Sequence, residues 1–576
     1  MNYMKPVFTE KANCQDCYKC VRSCPVKAIK VEGGSATVLY DLCVMCGYCV
    51  EVCPAGAKKV RDDLGRVRQL LRLKSRVIAS IAPSFKSEFP GLKPSRLIAA
   101  LKSLGFFGVS ETAIGAQEVS ANVAELLSSN QKKLFISSAC PAVVDLIKKY
   151  HPQSAENLTN FLSPLLTQCK MLKERYGNTD LGVVFIGPCI AKKKEADQHP
   201  ELLDAVITFE DLRRWLKEEN LSFDELSCTD EDVFIPETAK EGSLYPIDGG
   251  MISGIKANLP VTNCDFMTFS GVSNISAALK DIDKLELKNN LFLELLACQG
   301  GCINGPKTLN RCATAVKRYN IINSSEYPEE EIPRKPTVCI DENFNIPAVE
   351  AKKYSEREIR AVLDDIGKIN TKDELNCAGC GYNSCRDFAV SFLDGKSEKT
   401  MCVSYMRQLA QKKANALIKT MPSGIVIVDD KLKIVESNQN WAKLMGEETE
   451  FLFEVKPGLE GAFLNKIAPF YKLFQNVLDS GTDIIGKEIN YNGSVLLFSI
   501  FTIEKHRYVG GIFRDITEPW VRKEQIITKA KQVIRKNLST VQKIAYLLGE
   551  NAAETEVILN GIIESFSTDK IDDINE

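Results

Sequence analysis

The chain has 576 residues, with 73 Lys and Arg against 75 Asp and Glu and a formal net charge of −2. That balance excludes the electrostatic footprint of a nucleic-acid or anionic-membrane binder, and no stretch approaches the roughly 20 apolar residues that span a bilayer. With 44% hydrophobic residues the chain has material for several cores, about three to five domains at ordinary domain lengths.

The N-terminal stretch MNYMKPVFTEKANC lacks a basic segment followed by an apolar one, so a cytoplasmic location is expected. Reducing conditions there disfavour disulfides, and the 21 cysteines are then read mainly as metal ligands. Only three histidines occur, His151, His199 and His506, which makes imidazole-based zinc or haem sites poor alternatives.

Residues 14–25 read C-x2-C-x2-C-x3-C-P and residues 43–54 repeat the pattern. This is the bacterial two-cluster ferredoxin signature, in which the fourth cysteine of each run serves the other cluster. One [4Fe–4S] centre is expected on Cys14, Cys17, Cys20 and Cys53, the other on Cys43, Cys46, Cys49 and Cys24. The competing reading, two zinc knuckles, requires four ligands per site and no crossing over. The module carries electrons, a task common to many enzymes.

From about Val67 to Asn345, apolar runs such as RVIASIAP, KKLFISSACP and LGVVFIGPC alternate with amphipathic stretches and end in Pro, Ser or Gly turns. That alternation predicts an α/β core with its functional groups at strand ends. Three of those turns carry cysteines: SSACPA holds Cys140, GPCIAKKKE holds Cys189, and LLACQGGCING holds Cys298 and Cys302. These segments, in this order and behind a ferredoxin module, resemble the three signature stretches of [FeFe]-hydrogenases.

The resemblance implies that Cys140, Cys189, Cys298 and Cys302 bind a [4Fe–4S] cube. It further implies that Cys302 bridges to a di-iron unit carrying CO, cyanide and a dithiolate. Lys192 matches the lysine that hydrogen-bonds a cyanide, a charge-assisted contact that would orient the cofactor. Ala82, Pro83 and Ser84 match the segment that approaches the di-iron unit from the opposite side. Ala139 stands where catalytic members carry a proton-transferring cysteine. Glu118 is out of register with the family's relay glutamates, Gly187 and Leu296 replace methionines, and Leu165 replaces a glutamine. These departures point to hydrogen binding with slow proton transfer, as in a hydrogen sensor. Two other readings stay open: a ferredoxin-linked catalytic hydrogenase with an altered proton route, and an iron–sulfur scaffold without a di-iron site.

Cys377, Cys380, Cys385 and Cys402 form C-x2-C-x4-C-x16-C, which resembles a small [4Fe–4S] domain, with a four-thiolate zinc site as the competing reading. Cys169, Cys228, Cys264, Cys312 and Cys339 are left as buried structural thiols. Further on, SGIVIVDDKLKIVESNQNWAKLMG and FSIFTIEKHRYVGGIFRDITE each give two strands and resemble a ligand-free PAS relay module; His506 is a weak haem candidate. Beyond it, Ile527, Ala530, Ile534, Leu538, Val541, Ala545 and Leu548 recur at helical spacing, a seam for pairing helices or for docking on the PAS module itself. No histidine follows His506, so the tail is not a phospho-accepting histidine helix.

The expected organisation is multidomain α/β. A ferredoxin-like two-cluster module spans 1–62, the [FeFe]-hydrogenase α/β core 63–345 and the four-cysteine [4Fe–4S] domain 346–412. An α+β PAS domain spans 413–519 and a helical signalling or dimerisation tail 520–576. Expected partners are H2, a redox protein such as ferredoxin, cofactor maturation proteins, a kinase or phosphatase reached through the PAS module and tail, and a second copy of the chain.

Overall fold

A computed structural model describes residues 5–128, 133–177, 180–258, 263–325, 332–516 and 532–537. The chain divides into two compact units, Met1–Glu398 and Lys399–Glu576. No helix among the described residues is long and apolar enough to cross a membrane.

In the first unit, the N-terminal module closes when Val7–Thr9 pairs antiparallel with Lys58–Val60. Between them Ile29–Glu32 and Ser35–Val38 form a hairpin, turned by Gly33 and Gly34 at φ of 58° and 72°. A two-residue turn with both φ values positive matches the twist of its strands, and glycine adopts it without strain. Each cysteine run ends in a short helix, Lys19–Ser23 and Tyr48–Glu51.

The core is built on two parallel sheets. Four strands run in the order Gly108–Glu111, Arg76–Ile81, Leu181–Ile186, Ala205–Ile207, and three in the order Cys264–Ser270, Asn290–Leu296, Leu134–Ile136. The expected apolar runs are the strands Arg76–Ile81, Leu134–Ile136 and Leu181–Ile186. Leu181–Ile186 and Asn290–Leu296 are buried at every residue, which is why their sequences are continuous rather than alternating: a parallel strand is covered on both faces. Helices Ala113–Leu127, Pro141–Tyr150, Pro164–Tyr176 and Ala191–Gln198 supply the cover. Further along the chain, Glu356–Asp365 packs on Cys385–Leu393, each with a capping box at its start.

The second unit opens with the helix Val403–Thr420 and continues into a five-stranded antiparallel sheet. Its order is Ile434–Ser437, Gly424–Asp429, Tyr508–Asp515, Ser494–Glu504, Ile484–Tyr491. Three helices, Gln439–Met445, Glu447–Val455 and Tyr471–Ser480, lie between the second and third strands in sequence. Asn438 fixes the first crossing: its Oδ1 accepts from Ile425 N (2.8 Å) and Trp441 N (2.9 Å), while its Nδ2 donates to the carbonyls of Ile418 and Ser423. Sequence patterning predicts four strands here and misses Ile484–Tyr491, a largely exposed edge strand without an apolar run. Of the tail, only residues 532–537 are described, and they are helical. Ile534 falls in that stretch; Ile527, Ala530, Leu538, Val541, Ala545 and Leu548 lie outside the described residues.

Candidate functional site

Three strand ends of the core converge on one place. Leu134–Ile136 runs into Ser137-Ser138-Ala139-Cys140, with Cys140 capping the helix Pro141–Tyr150. Leu181–Ile186 runs through Gly187-Pro188-Cys189 to the helix Ala191–Gln198. Asn290–Leu296 runs through Ala297-Cys298 to the single turn Cys302–Asn304. Cys140, Cys189, Cys298 and Cys302, distant in sequence, line one small apolar pocket. Gly301 makes the last turn possible. Its φ is 98°, and a Cβ there would lie 2.3 Å from the Pro246 carbonyl oxygen.

Desolvation dominates the electrostatics of this pocket. Burial pushes the Cys189 thiol up to about 11, with Cys140 adding repulsion and Lys192 opposing it. Burial likewise drives Cys302 up, with Cys140 and Cys189 as like-charged neighbours, and raises Cys298 well above the ordinary thiol range, with Cys302, Cys189 and Cys140 adding to it. Four thiolates in a dry pocket need cations among them, and soft sulfur selects iron–sulfur chemistry. Among the described residues no three His, Cys, Asp or Glu side chains close to the spacing of one metal ion.

Other features fit the rest of the implied cofactor. Ser84, at the end of Ala82-Pro83-Ser84, has a buried Oγ without a hydrogen-bond partner. A lone buried hydroxyl is costly unless something else receives it. The helices Pro141–Tyr150 and Ala191–Gln198 begin beside Cys140 and Cys189, and helix N-termini favour anions. The Lys192 ammonium is buried and donates to Ser163 Oγ (2.8 Å) and to Glu195 Oε2 (2.5 Å). Neither partner was singled out by sequence reasoning. The Lys192–Glu195 spacing of three was its only signal, and in a KKKE run that reads as a solvated face.

The positions expected to depart from the catalytic pattern have defined surroundings. Ala139 is half-buried, and its N–H donates to Ser137 Oγ (3.2 Å). Glu118 accepts from Thr337 and Val338 and so anchors a loop. Leu165 and Leu296 are buried in the core. A side chain at Gly187 would begin 2.8 Å from Ala82 Cβ and 2.6 Å from the Phe185 ring, so this backbone leaves no room for a methionine there.

The N-terminal thiols group in two sets. Burial raises Cys20 to about 11, opposed by Lys58, with Cys17, Cys14 and Cys53 as like-charged neighbours. Cys49 is raised further, with Cys43, Cys46 and Cys24 around it. Cys46 also lines the pocket of the core cysteines. Its neighbour Gly47, at φ 83°, is packed so closely that a Cβ would lie 2.4 Å from Pro306 Cγ. Tyr48 Oη donates to the Ala297 carbonyl, and Lys149 and Tyr150 donate to the carbonyls of Cys43 and Leu42. The ferredoxin-like loop thus sits directly on the core pocket.

Cys377, Cys380 and Cys385 belong to the first unit and Cys402 to the second. The loop carrying the first three is held by Arg22, which donates to the Gly379 carbonyl (3.2 Å), and by Lys27, which donates to that of Gly381 (2.8 Å). Of the remaining cysteines only Cys169 is buried. Cys228, Cys312 and Cys339 are exposed and Cys264 is half-buried, which corrects the expectation of buried structural thiols: these four lie on loops or at a strand start rather than in the core. His506 is exposed, its ring nitrogen 2.8 Å from the Leu478 carbonyl oxygen.

Comparison with known families matches residues 75–306 to the iron only hydrogenase large subunit, C-terminal domain, residues 6–54 to a 4Fe-4S dicluster domain, and residues 373–404 to an Fe-S cluster family. The chain is 24% identical over 329 residues to Iron hydrogenase 1 of Clostridium pasteurianum, covering 46% of this chain and 57% of that protein. It is 26% identical over 375 residues to the NADP-reducing hydrogenase subunit HndD of Solidesulfovibrio fructosivorans, covering 52% and 64%. A solved structure of a variant of [FeFe]-hydrogenase HydA1 from Chlamydomonas reinhardtii aligns at 19% identity with a TM-score of 0.38, over 46% of this chain and 91% of that one.

Proposed function

We propose that the chain is a sensory hydrogenase of the [FeFe] type, binding and slowly oxidising H2, a reading that its family matches support. Cys140, Cys189, Cys298 and Cys302 would hold a [4Fe–4S] cube, with Cys302 bridging to the di-iron unit and Lys192 and Ser84 receiving its polar ligands. The N-terminal sets Cys14, Cys17, Cys20, Cys53 and Cys43, Cys46, Cys49, Cys24 would hold two further cubes, and the iron–sulfur match over residues 373–404 supports a fourth. When bound, the di-iron unit supplies the hydrogen chemistry and the cubes supply electron storage and transfer.

One observation carries the sensory reading. The family's cysteine set, lysine and glycine turn are retained, while Ala139 offers no group that can carry a proton. Proton relays work only through donors within hydrogen-bond reach, so binding is kept and turnover is slowed. The second unit supports an output role. Its five-strand order and the helices between its second and third strands suit a PAS domain, a module that relays signals to a partner such as a kinase or phosphatase. Ferredoxin as redox partner, cytoplasmic location and pairing through the tail belong to the same reading.

Infrared spectroscopy of matured protein tests it. CO and cyanide bands are expected, together with H2 turnover from an artificial donor well below that of catalytic relatives. Missing bands would leave an iron–sulfur scaffold. Fast turnover would leave an ordinary hydrogenase with another proton route.

A further inference from the structure

The loop that carries Cys377, Cys380 and Cys385 is packed on the first cysteine run of the ferredoxin-like module. Gly381, at φ 94°, lies so close to that run that a Cβ would stand 2.9 Å from Val21 Cγ1. Arg22 donates to the carbonyls of both Cys17 and Gly379. Farther along, Val31 N donates to the Lys396 carbonyl (2.8 Å) and Gly33 N to Glu398 Oε1 (2.7 Å). Backbone groups make most of this contact, so it holds the two cysteine loops in one register.

Lys27 sits in the seam. An ammonium has three N–H donors, and those of Lys27 go to the carbonyls of Val21 (3.1 Å), Arg22 (3.2 Å) and Gly381 (2.8 Å). The same ammonium stands 5.8 Å from the centre of the Tyr382 ring. Gly381 follows Cys380 directly, and the N–H of Ala28, next to Lys27, donates to Cys24 Sγ (3.2 Å). Burial pulls the Lys27 ammonium below its ordinary range, and Cys24, Cys380 and Asp387 oppose that pull. Burial raises the Tyr382 hydroxyl, with Cys380 and Cys24 both adding to it. Two side chains of the seam thus feel a thiol from each loop.

Cys24 is also the charged neighbour of Cys43, Cys46 and Cys49, and Cys46 in turn lines the core pocket. The potential of an iron–sulfur centre follows the local charge and the hydrogen bonds to its sulfurs. One positive charge between two such centres therefore favours an added electron on either. Carbonyls hold the Lys27 ammonium without cancelling its charge. We propose that Lys27 is a positioning residue shared by two iron–sulfur sites, docking the Cys380 loop on the Cys24 set and raising the electron affinity of both. The Cys24 set then faces the core pocket at Cys46 and the Cys380 site at Lys27, which makes it the junction between them. This rests on the cluster assignments proposed above.

The test is a redox titration of the full-length iron–sulfur protein, followed by electron paramagnetic resonance, on wild type, Lys27→Met and Lys27→Arg. Met keeps the length of the side chain and removes its charge; Arg keeps the charge. The two signals are assigned by their loss in Cys49→Ala and Cys380→Ala. At the wild-type midpoint of each couple, Lys27→Met should lower the reduced-to-oxidised ratio of both about tenfold, which is about 59 mV for a one-electron couple. Iron content should be unchanged, and Lys27→Arg should restore most of the ratio. An unchanged ratio at either site overturns the sharing. If Lys27→Met loses iron, the wild type decides. Reduction of its Cys380 site should broaden the signal of the Cys24 set through spin coupling, and an unbroadened signal overturns the junction. If Cys380→Ala removes no signal, the Cys380 site holds no cluster, which sinks that assignment and this inference with it.

Discussion

At the scale of single residues, the proposed sensory reading turns on Ala139. It sits immediately before Cys140 and is half-buried, and a thiol there, unlike a methyl group, could carry a proton. Ala139→Cys should raise H2 evolution from an artificial donor roughly tenfold or more, the low end of what general acid–base help contributes. A fall in rate would mean that the native chain already has an efficient route which the thiol disturbs. Cys302→Ser should abolish the CO and cyanide bands while leaving the electron paramagnetic resonance of the N-terminal clusters intact; surviving bands would refute the bridging role. Glu294 offers a test through pH. Burial raises its carboxyl from 4.5 to about 7, although the N–H groups of Met251 and Ile252 pull it down. A folded-state pKa above the unfolded one means the folded state binds the extra proton between those values. Its penalty is therefore absent below about pH 4.5 and complete above about pH 7. Glu294→Gln should flatten the fall in Tm between pH 5 and 8, and an unchanged slope would reject the assignment. The N-terminal cysteine runs are legible in sequence because their spacing is local, whereas the core cysteines, distant in sequence, are read through the motifs around them. Glu195 and Glu294 are not, because only burial separates them from ordinary surface glutamates.

Secondary-structure elements were legible in proportion to their burial. Arg76–Ile81 and Leu181–Ile186 announce themselves because parallel strands buried on both faces read as unbroken apolar runs. Ile484–Tyr491 does not, since an edge strand with one wet face carries Lys, Glu and Gly instead. The GG turn before Cys302 is visible in sequence, yet its necessity comes from Pro246, more than fifty residues upstream. Gly301→Ala combines a strained positive φ with a 2.3 Å clash against backbone, so it should cost at least about 2 kcal/mol and lower the iron bound at the core site. Normal iron content and Tm would show that the turn relaxes easily. In the second unit, Asn438→Ala removes four hydrogen bonds at a fully buried position. With about 1 kcal/mol or more for each orphaned group, amide hydrogen exchange in Gly424–Asp429 should speed up by well over tenfold.

On the scale of the whole molecule, the proposed redox ligands and the proposed signalling module lie apart in sequence. No cysteine lies beyond Cys402, and the sheet of the second unit begins at Gly424. The ferredoxin-like module, by contrast, is inseparable from the core. Gly47 and Tyr48 seat against Pro306 and Ala297, while Lys149 and Tyr150 grip the Cys43 loop from the core side. Sequence alone could assign both modules, but it could not show that they share a packed surface, because the contacting residues are small or bond through backbone carbonyls. Truncation after residue 412 should therefore leave the CO and cyanide bands, the four-iron signals and the residual H2 oxidation within about twofold of the full chain. The same truncation should abolish any hydrogen-dependent change in the activity of the signalling partner. A truncated chain that fails to retain its cofactor would mean that the second unit supports the metal sites rather than reporting on them. Removing residues 1–62 should act in the opposite way. It strips the backbone acceptors from Lys149 and Tyr150 and opens the core pocket at Cys46, so the core should lose iron even though none of its four cysteines has been touched.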